Sequence, residues 1–153
     1  MRLDLEIMKS IVDVEDEIVR EFLNLPDIDA RYAYLFQLAG DLQPLDPFLK
    51  TDENLVDGCQ SKVWFHFHLT GGQLFLQADS NSMVIKGIAA LLSRLVNGRH
   101  PEEINQISLD FIDKIQIWKL PSKRNNGLLA ILQSLKTKVK DYLQVDPDGI
   151  RME

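Results

Sequence analysis

The sequence predicts an α+β fold, with a three-stranded, mainly antiparallel sheet packed against several helices. Three observations lead there. Residues 63–69 alternate apolar and polar side chains, and Thr70-Gly71-Gly72-Gln73 and a second apolar run follow them, which is how a β-hairpin reads. Apolar residues recur every three or four positions both before and after this hairpin, the spacing of helices with one buried face. The helices come in runs on either side of the strands and do not alternate with them, so a parallel α/β sheet is excluded.

Taken in order, Ile7, Ile11, Val14, Ile18 and Phe22 form the stripe of a first amphipathic helix. Asn24-Leu25-Pro26-Asp27 stops it, with Pro26 as the breaker and Asp27 or Asp29 as the cap of the next helix. Tyr32, Leu35, Phe36, Ala39 and Leu42 make the second stripe. Residues 40–54 are rich in Gly, Pro and Asp and read as a connection with room for a short helical turn. A third strand is expected near residues 53–56. In the hairpin, Val63, Phe65, Phe67 and Leu69 share one face and Trp64, His66 and His68 the other. Asp79-Ser80-Asn81-Ser82 then offers several N-cap residues, and Asp79 and Ser80 read as the start of a helix. That helix, residues 83–96, is apolar enough to be central and ends at Asn97-Gly98. His100-Pro101-Glu102-Glu103 opens a short helix, with proline and acids where a first turn tolerates them. Leu128, Ile131, Leu132, Leu135, Val139 and Tyr142 line a last one.

With 153 residues, the chain is expected to form a single domain over 1–153 and to bury a core without disulfides or a structural metal. Seventeen basic residues against 23 acidic ones leave a net charge of -6, a field that repels nucleic-acid phosphates. Acids are scattered through the first nineteen residues, so neither a signal peptide nor a membrane-spanning helix is expected there, and a cytoplasmic protein without a membrane partner is. The single cysteine, Cys59, forms no internal disulfide and stays a free thiol in a reducing compartment.

Free cysteines are among the most buried residue types and usually act as small hydrophobes. Cys59 has a different setting. It follows Gly58 and is surrounded by Asp57, Gln60, Ser61 and Lys62, a polar loop of the kind that carries function on a rigid scaffold. Val56, Gly58, Cys59, Gln60, Ser61, Val63 and Trp64 form a V-x-G-C-Q-S-x-V-W pattern that resembles the SufE-type sulfur acceptor proteins. Residues 31–45 (RYAYLFQLAGDLQPL), 78–92 (ADSNSMVIKGIAALL) and 120–132 (LPSKRNNGLLAIL) resemble further signatures of that family in the same order. The resemblance runs from about Leu23 to Leu143, and the chain departs from the family's more frequent Asp-Ser-Asp-Ala at Asn81 and Ser82.

The resemblance implies a SufE/IscU-like fold and a role in sulfur transfer. Members take a sulfur atom from the persulfide of a SufS-like cysteine desulfurase, hold it on the matching cysteine, here Cys59, stimulate the desulfurase, and pass the sulfur toward an iron–sulfur cluster assembly scaffold. Pyridoxal phosphate belongs to the desulfurase, so the implied cofactor requirement of this chain is none, and it acts as a sulfurtransferase-like accessory protein. The chemistry of the residues agrees with that role. A thiolate attacks a sulfane sulfur, and a second nearby thiol would discharge a persulfide as sulfide, so a single cysteine is the safe arrangement. A Cys59 loop tucked against apolar residues between transfers is a further expectation.

Arg124, with Ser122 and Gly127, matches the family's S-x-R-x-x-G pattern. It reads either as a solvated charge at a helix entrance or as a group that engages the desulfurase through its planar fork. Gly58, Gln60, Ser61 and Asp79 complete the set of loop-supporting or partner-binding residues, with Gln60 and Ser61 shaping the loop through local hydrogen bonds. Trp64 reads as a packing residue. His66 and His68 leave one strand on the same face, but two histidines are too few ligands for a metal centre. A thiol-dependent hydrolase pairing Cys59 with His66, His68 or His100 is the alternative activity. An iron–sulfur scaffold is disfavoured because clusters are held by several cysteines.

Overall fold

The computed structural model describes residues 9–56, 61–108, 111–117 and 123–142, and of residues 112, 123–130 and 142 the backbone alone. Helix α1 (Ile11–Leu23) begins at Ser10, whose hydroxyl accepts the Asp13 amide, and buries Ile11, Val14, Ile18 and Phe22. Ile7, the first residue of the expected stripe, lies outside the described residues. Helix α2 (Ile28–Asp41) is capped by Asp27, which accepts the Ala30 amide at 2.9 Å. A side-chain cap of this kind contributes about 1 kcal/mol. Leu35 and Ala39 are its buried residues, with Tyr32 and Leu42 packed against the core. Phe36 is 45% exposed and rests on Tyr32 instead. It is one residue, about 100° of helix, beyond Leu35, so both cannot face the core.

The connection holds two 3-10 turns, Pro47–Leu49 and Asp52–Asn54. The hairpin follows as β1 (Val63–Thr70) and β2 (Gln73–Ser80), antiparallel, with Thr70 opposite Gln73 and Val63 opposite Ser80. Gly71 and Gly72, at φ 60 and 80, form the two-residue turn, a conformation that glycine adopts without steric cost. Val63, Phe65 and Phe67 are buried as expected, whereas Leu69 is 44% exposed although Leu74 opposite it is fully buried.

The expected third strand is not formed: among the described residues the sheet has two strands. Residues 53–56 contribute one antiparallel bridge, Leu55 to Trp64. The Thr51 hydroxyl accepts the Asn54 amide and draws Asp52–Asn54 into a turn, so Glu53 and Asn54 belong to that turn and not to a strand.

Helix α3 (Met83–Val96) is buried on most sides and packs on α2, β2 and α1. Gly87 permits the close approach of α2, since a Cβ there would lie 2.6 Å from the Leu35 carbonyl oxygen. At its far end the Asn97 side chain accepts the Leu76 amide, and Leu74 exchanges backbone hydrogen bonds with Gly98 and Arg99. Arg99, 2% exposed, gives its guanidinium to the carbonyls of Leu95 and Lys9 and so ties α1 to this end. A 3-10 helix (Pro101–Gln106), the short α4 (Phe111–Lys114) and the long α5 (Lys123–Tyr142) close the fold, with Ile131, Leu132, Leu135 and Val139 of α5 in the core. No helix of the described residues is long and apolar enough to cross a membrane.

Candidate functional site

Cys59, Gly58 and Gln60 lie outside the described residues, and so does the side chain of Arg124, whose backbone belongs to the first turn of α5. Both ends of the segment that carries Cys59 are described. Upstream, Leu55 bridges Trp64 and the Val56 amide donates to the Val63 carbonyl at 2.8 Å. Val56 and Val63 are themselves buried, at 3% and 0% exposure. Downstream, Ser61 sits half-buried in a bend. The Lys62 amide donates to the Asn81 side-chain oxygen at 3.0 Å, and its carbonyl accepts the Ser80 hydroxyl at 2.7 Å and the Asn81 amide at 3.2 Å. The two ends of the cysteine segment are therefore held side by side, at one closed neck.

The stretch Asp79-Ser80-Asn81-Ser82 supplies the cap of α3 at Ser82 as expected, but Asp79 and Ser80 do not begin the helix. Asp79 and Ser80 are the last residues of β2, buried at 6% and 9% exposure, and Ser82 caps α3 through the Ile85 amide. Each residue has its own task. Ser80 and Asn81 hold Lys62, while the Ser80 hydroxyl also accepts the Ser82 amide at 3.1 Å. The two departures from the family pattern, Asn81 and Ser82, are thus both engaged locally.

Asp79 stands opposite Trp64 in the hairpin register. Its carboxylate accepts the Ser80 amide at 2.8 Å and the Leu45 amide at 3.4 Å, and meets the ammonium groups of Lys50 at 3.2 Å and Lys86 at 3.6 Å. Burial raises the pKa of this carboxyl, but the Ser80 amide, the Lys50 ammonium and the Leu45 amide outweigh it and hold the group below the usual carboxylate range. The Lys50 ammonium also lies 5.5 Å from the centre of the half-buried Trp64 ring. Two lysines thus face this one carboxylate. No motif marks Lys50, and Lys86 lies inside the 78–92 signature without being legible there as part of a site.

The histidines are spread along the other direction of the hairpin. His68 stacks on Phe75 at 5.4 Å, and His100 approaches the Gly72 carbonyl at 3.2 Å, at the turn end. Val63 to Thr70 spans roughly 23 Å at about 3.3 Å per residue, so His100 is far from the neck. His66 is nearer, and burial, together with the neighbouring His68, lowers its pKa. Among the described residues, no group of three or more His, Cys, Asp or Glu side chains is placed to hold a metal ion.

Comparison with known proteins identifies the scaffold. The SufE domain family, described as an Fe-S metabolism associated domain, matches residues 16–139. The chain belongs to the SufE family. An uncharacterized SufE-like protein of Rhizobium meliloti is 31% identical over 134 residues, covering 84% of this chain and 96% of that one. SufE-like protein 1 of Arabidopsis thaliana, chloroplastic/mitochondrial, is 36% identical over 137 residues, which are 88% of this chain and 37% of the longer relative. The solution structure of a hypothetical protein from Thermus thermophilus shares the fold with a TM-score of 0.68 at 24% identity, covering 85% of this chain and 96% of its own. The neck, Asp79 and the start of α5 all fall inside the part matched as SufE. Membership ties the chain to iron–sulfur metabolism, and no relative favours the hydrolase reading.

Proposed function

We propose that Cys59 accepts persulfide sulfur from a SufS-like cysteine desulfurase, that docking of the chain stimulates the desulfurase, and that Cys59 passes the sulfur on to an iron–sulfur assembly scaffold. The observation that carries this reading is the closed neck. Val56 and Val63 are joined by a hydrogen bond, and three residues of chain reach at most about 11 Å, so Cys59 stays within that distance of a rigid, buried anchor. A sulfur relay needs such a fixed address for its thiol.

The transfer is a thiol exchange. The Cys59 thiolate attacks the outer sulfur of the donor persulfide, a new S–S bond forms on Cys59 while the donor's S–S bond breaks, and the donor leaves as a thiolate. Charge is conserved and no redox partner is needed. Pyridoxal phosphate stays with the donor, and this chain works without a cofactor of its own. A reducing setting such as the cytoplasm keeps the lone thiol available.

The test is mass spectrometry of the intact chain after incubation with the desulfurase and L-cysteine. Cys59 is expected to gain one sulfur mass, and the Cys59→Ser variant none. An unmodified wild-type chain under conditions where the desulfurase turns over refutes the reading.

A further inference from the structure

Helix α3 ends at Asn97-Gly98, and asparagine followed by glycine is the dipeptide most open to deamidation, because no side chain hinders the glycine nitrogen. That nitrogen attacks the carboxamide carbon of the asparagine. A bond forms between the Gly98 nitrogen and Asn97 Cγ, the Cγ–Nδ2 bond breaks, and ammonia leaves with the Gly98 amide proton. Water then opens the resulting cyclic imide to aspartate or to isoaspartate. Nothing is oxidised or reduced. Asn97 is exposed, so water and hydroxide reach it.

The fold sets this dipeptide in a geometry that does not react. Closing the imide ring requires the Gly98 nitrogen to eclipse the Asn97 Cβ, at a ψ of about −120° around a tetrahedral Cα. The ψ of Asn97 is 129, roughly 110° of rotation away. Both reacting groups are also engaged. Asn97 Oδ1 accepts the Leu76 amide at 2.8 Å, which fixes the carboxamide against β2. The Gly98 amide donates to the Leu74 carbonyl at 2.8 Å, so the attacking nitrogen is held too. Two further contacts continue the row. The Arg99 carbonyl accepts the Leu74 amide at 2.7 Å, and His100 Nδ1 lies 3.2 Å from the Gly72 carbonyl. Residues 97–100 thus clasp the outer edge of β2 from Leu76 to the turn, with Gly98 at φ 86 where the chain bends into it.

We propose that Asn97 is a modification site that this clasp keeps latent: it deamidates when residues 97–100 come away from β2, and the modification then prevents the clasp from closing again. In isoaspartate the main chain runs through Cβ and Cγ, one carbon longer than before. The carbonyl that accepted the Leu76 amide becomes part of the peptide link, and the bonds to Leu76 and Leu74 can no longer be made in one register. Each opening that reaches the imide is therefore recorded covalently at the end of α3.

The experiment incubates the full chain in mildly alkaline buffer made with heavy-oxygen water, folded and in urea, and follows the Asn97 peptide by mass spectrometry. Opening of the imide leaves one heavy oxygen at residue 97. Asn126-Gly127, the other such dipeptide in the sequence, is read on its own peptide. Three hydrogen bonds of the clasp must open, each favouring the closed form roughly fivefold, so the folded chain is expected to react about 100-fold more slowly than the chain in urea. The Leu74 and Leu76 amides donate to the clasp, and their hydrogen-exchange protection is expected to match that slowing within about threefold. His100→Ala removes the fourth contact and leaves the dipeptide intact; it is expected to deamidate about 2–10-fold faster than wild type when folded. Equal rates for Asn97 in the folded chain and in urea overturn the proposal. So do slowed deamidation with freely exchanging Leu74 and Leu76 amides, and an Asn97 peptide that gains no heavy oxygen even in urea.

Discussion

Replacing Asp79 by alanine tests whether the carboxylate at the end of β2 holds the neck together. Its bond to the Ser80 amide is 2.8 Å long and buried, and a charge-assisted hydrogen bond of this type contributes about 1.5–3 kcal/mol. The Leu45 bond, at 3.4 Å, adds less, about 0.5 kcal/mol. The lysines lose little, since the Lys50 and Lys86 side chains are 37% and 21% exposed and turn to water at about 0–1 kcal/mol each. The loss is thus about 3 kcal/mol, which lowers the melting midpoint of a chain of this size by about 6–12 °C. Asp79→Asn keeps an acceptor for the amides, and about half the loss is expected. The acid limb separates charge from packing. A carboxyl depressed in the folded state adds stability that is fully present above its unfolded pKa, about 3.9, and is lost as pH falls through the lower folded value. Urea unfolding of wild type and Asp79→Asn is therefore expected to converge below about pH 4. A loss under about 1 kcal/mol in Asp79→Ala, or a gap that does not close in acid, refutes the reasoning.

Two further outcomes concern the scaffold. Gly87→Ala gains about 1 kcal/mol of helix propensity, but its Cβ meets the Leu35 carbonyl at 2.6 Å, and overpacking against backbone costs about 1–3 kcal/mol; a net loss on urea unfolding is expected, and a gain would mean that α2 and α3 are not in close contact. Arg94→Ala removes the paired contacts to Glu21, at 2.8 and 2.6 Å, and is expected to cost about 0.5–1 kcal/mol at low salt, shrinking in high salt where screening already weakens the pair; the same loss at both salt concentrations contradicts an electrostatic origin.

The helices are legible because each carries its own period. Ile11, Val14, Ile18 and Phe22 are all buried, and the apolar run of 83–96 is central, as its composition requires. Where the sequence misleads, a local cap or a strand end decides. Leu69 has the right parity for the core but is 44% exposed, and the expected strand at 53–56 gives way to a turn capped by Thr51. Parity and composition say which face a residue takes, and they do not say how far the partner surface extends.

The site divides along the same line. The cysteine motif is readable because its residues are contiguous, whereas Lys50 and Lys86 reach Asp79 from a connection and from a helix, and no periodicity relates them. Asp79 itself reads as part of a helix start because Asp-Ser-Asn-Ser offers four cap formers in a row. The hairpin turn holds the information that separates them. A two-residue glycine turn fixes register, and counting outward from Gly71-Gly72 pairs Trp64 with Asp79 and Val63 with Ser80. That count ends β2 at Ser80, leaves Ser82 as the cap, and sets the buried carboxylate across from the tryptophan next to the cysteine segment. Sequence proximity to a helix and register distance from a turn give opposite answers here, and the ladder of backbone hydrogen bonds outweighs a single cap because it is repeated along eight paired residues.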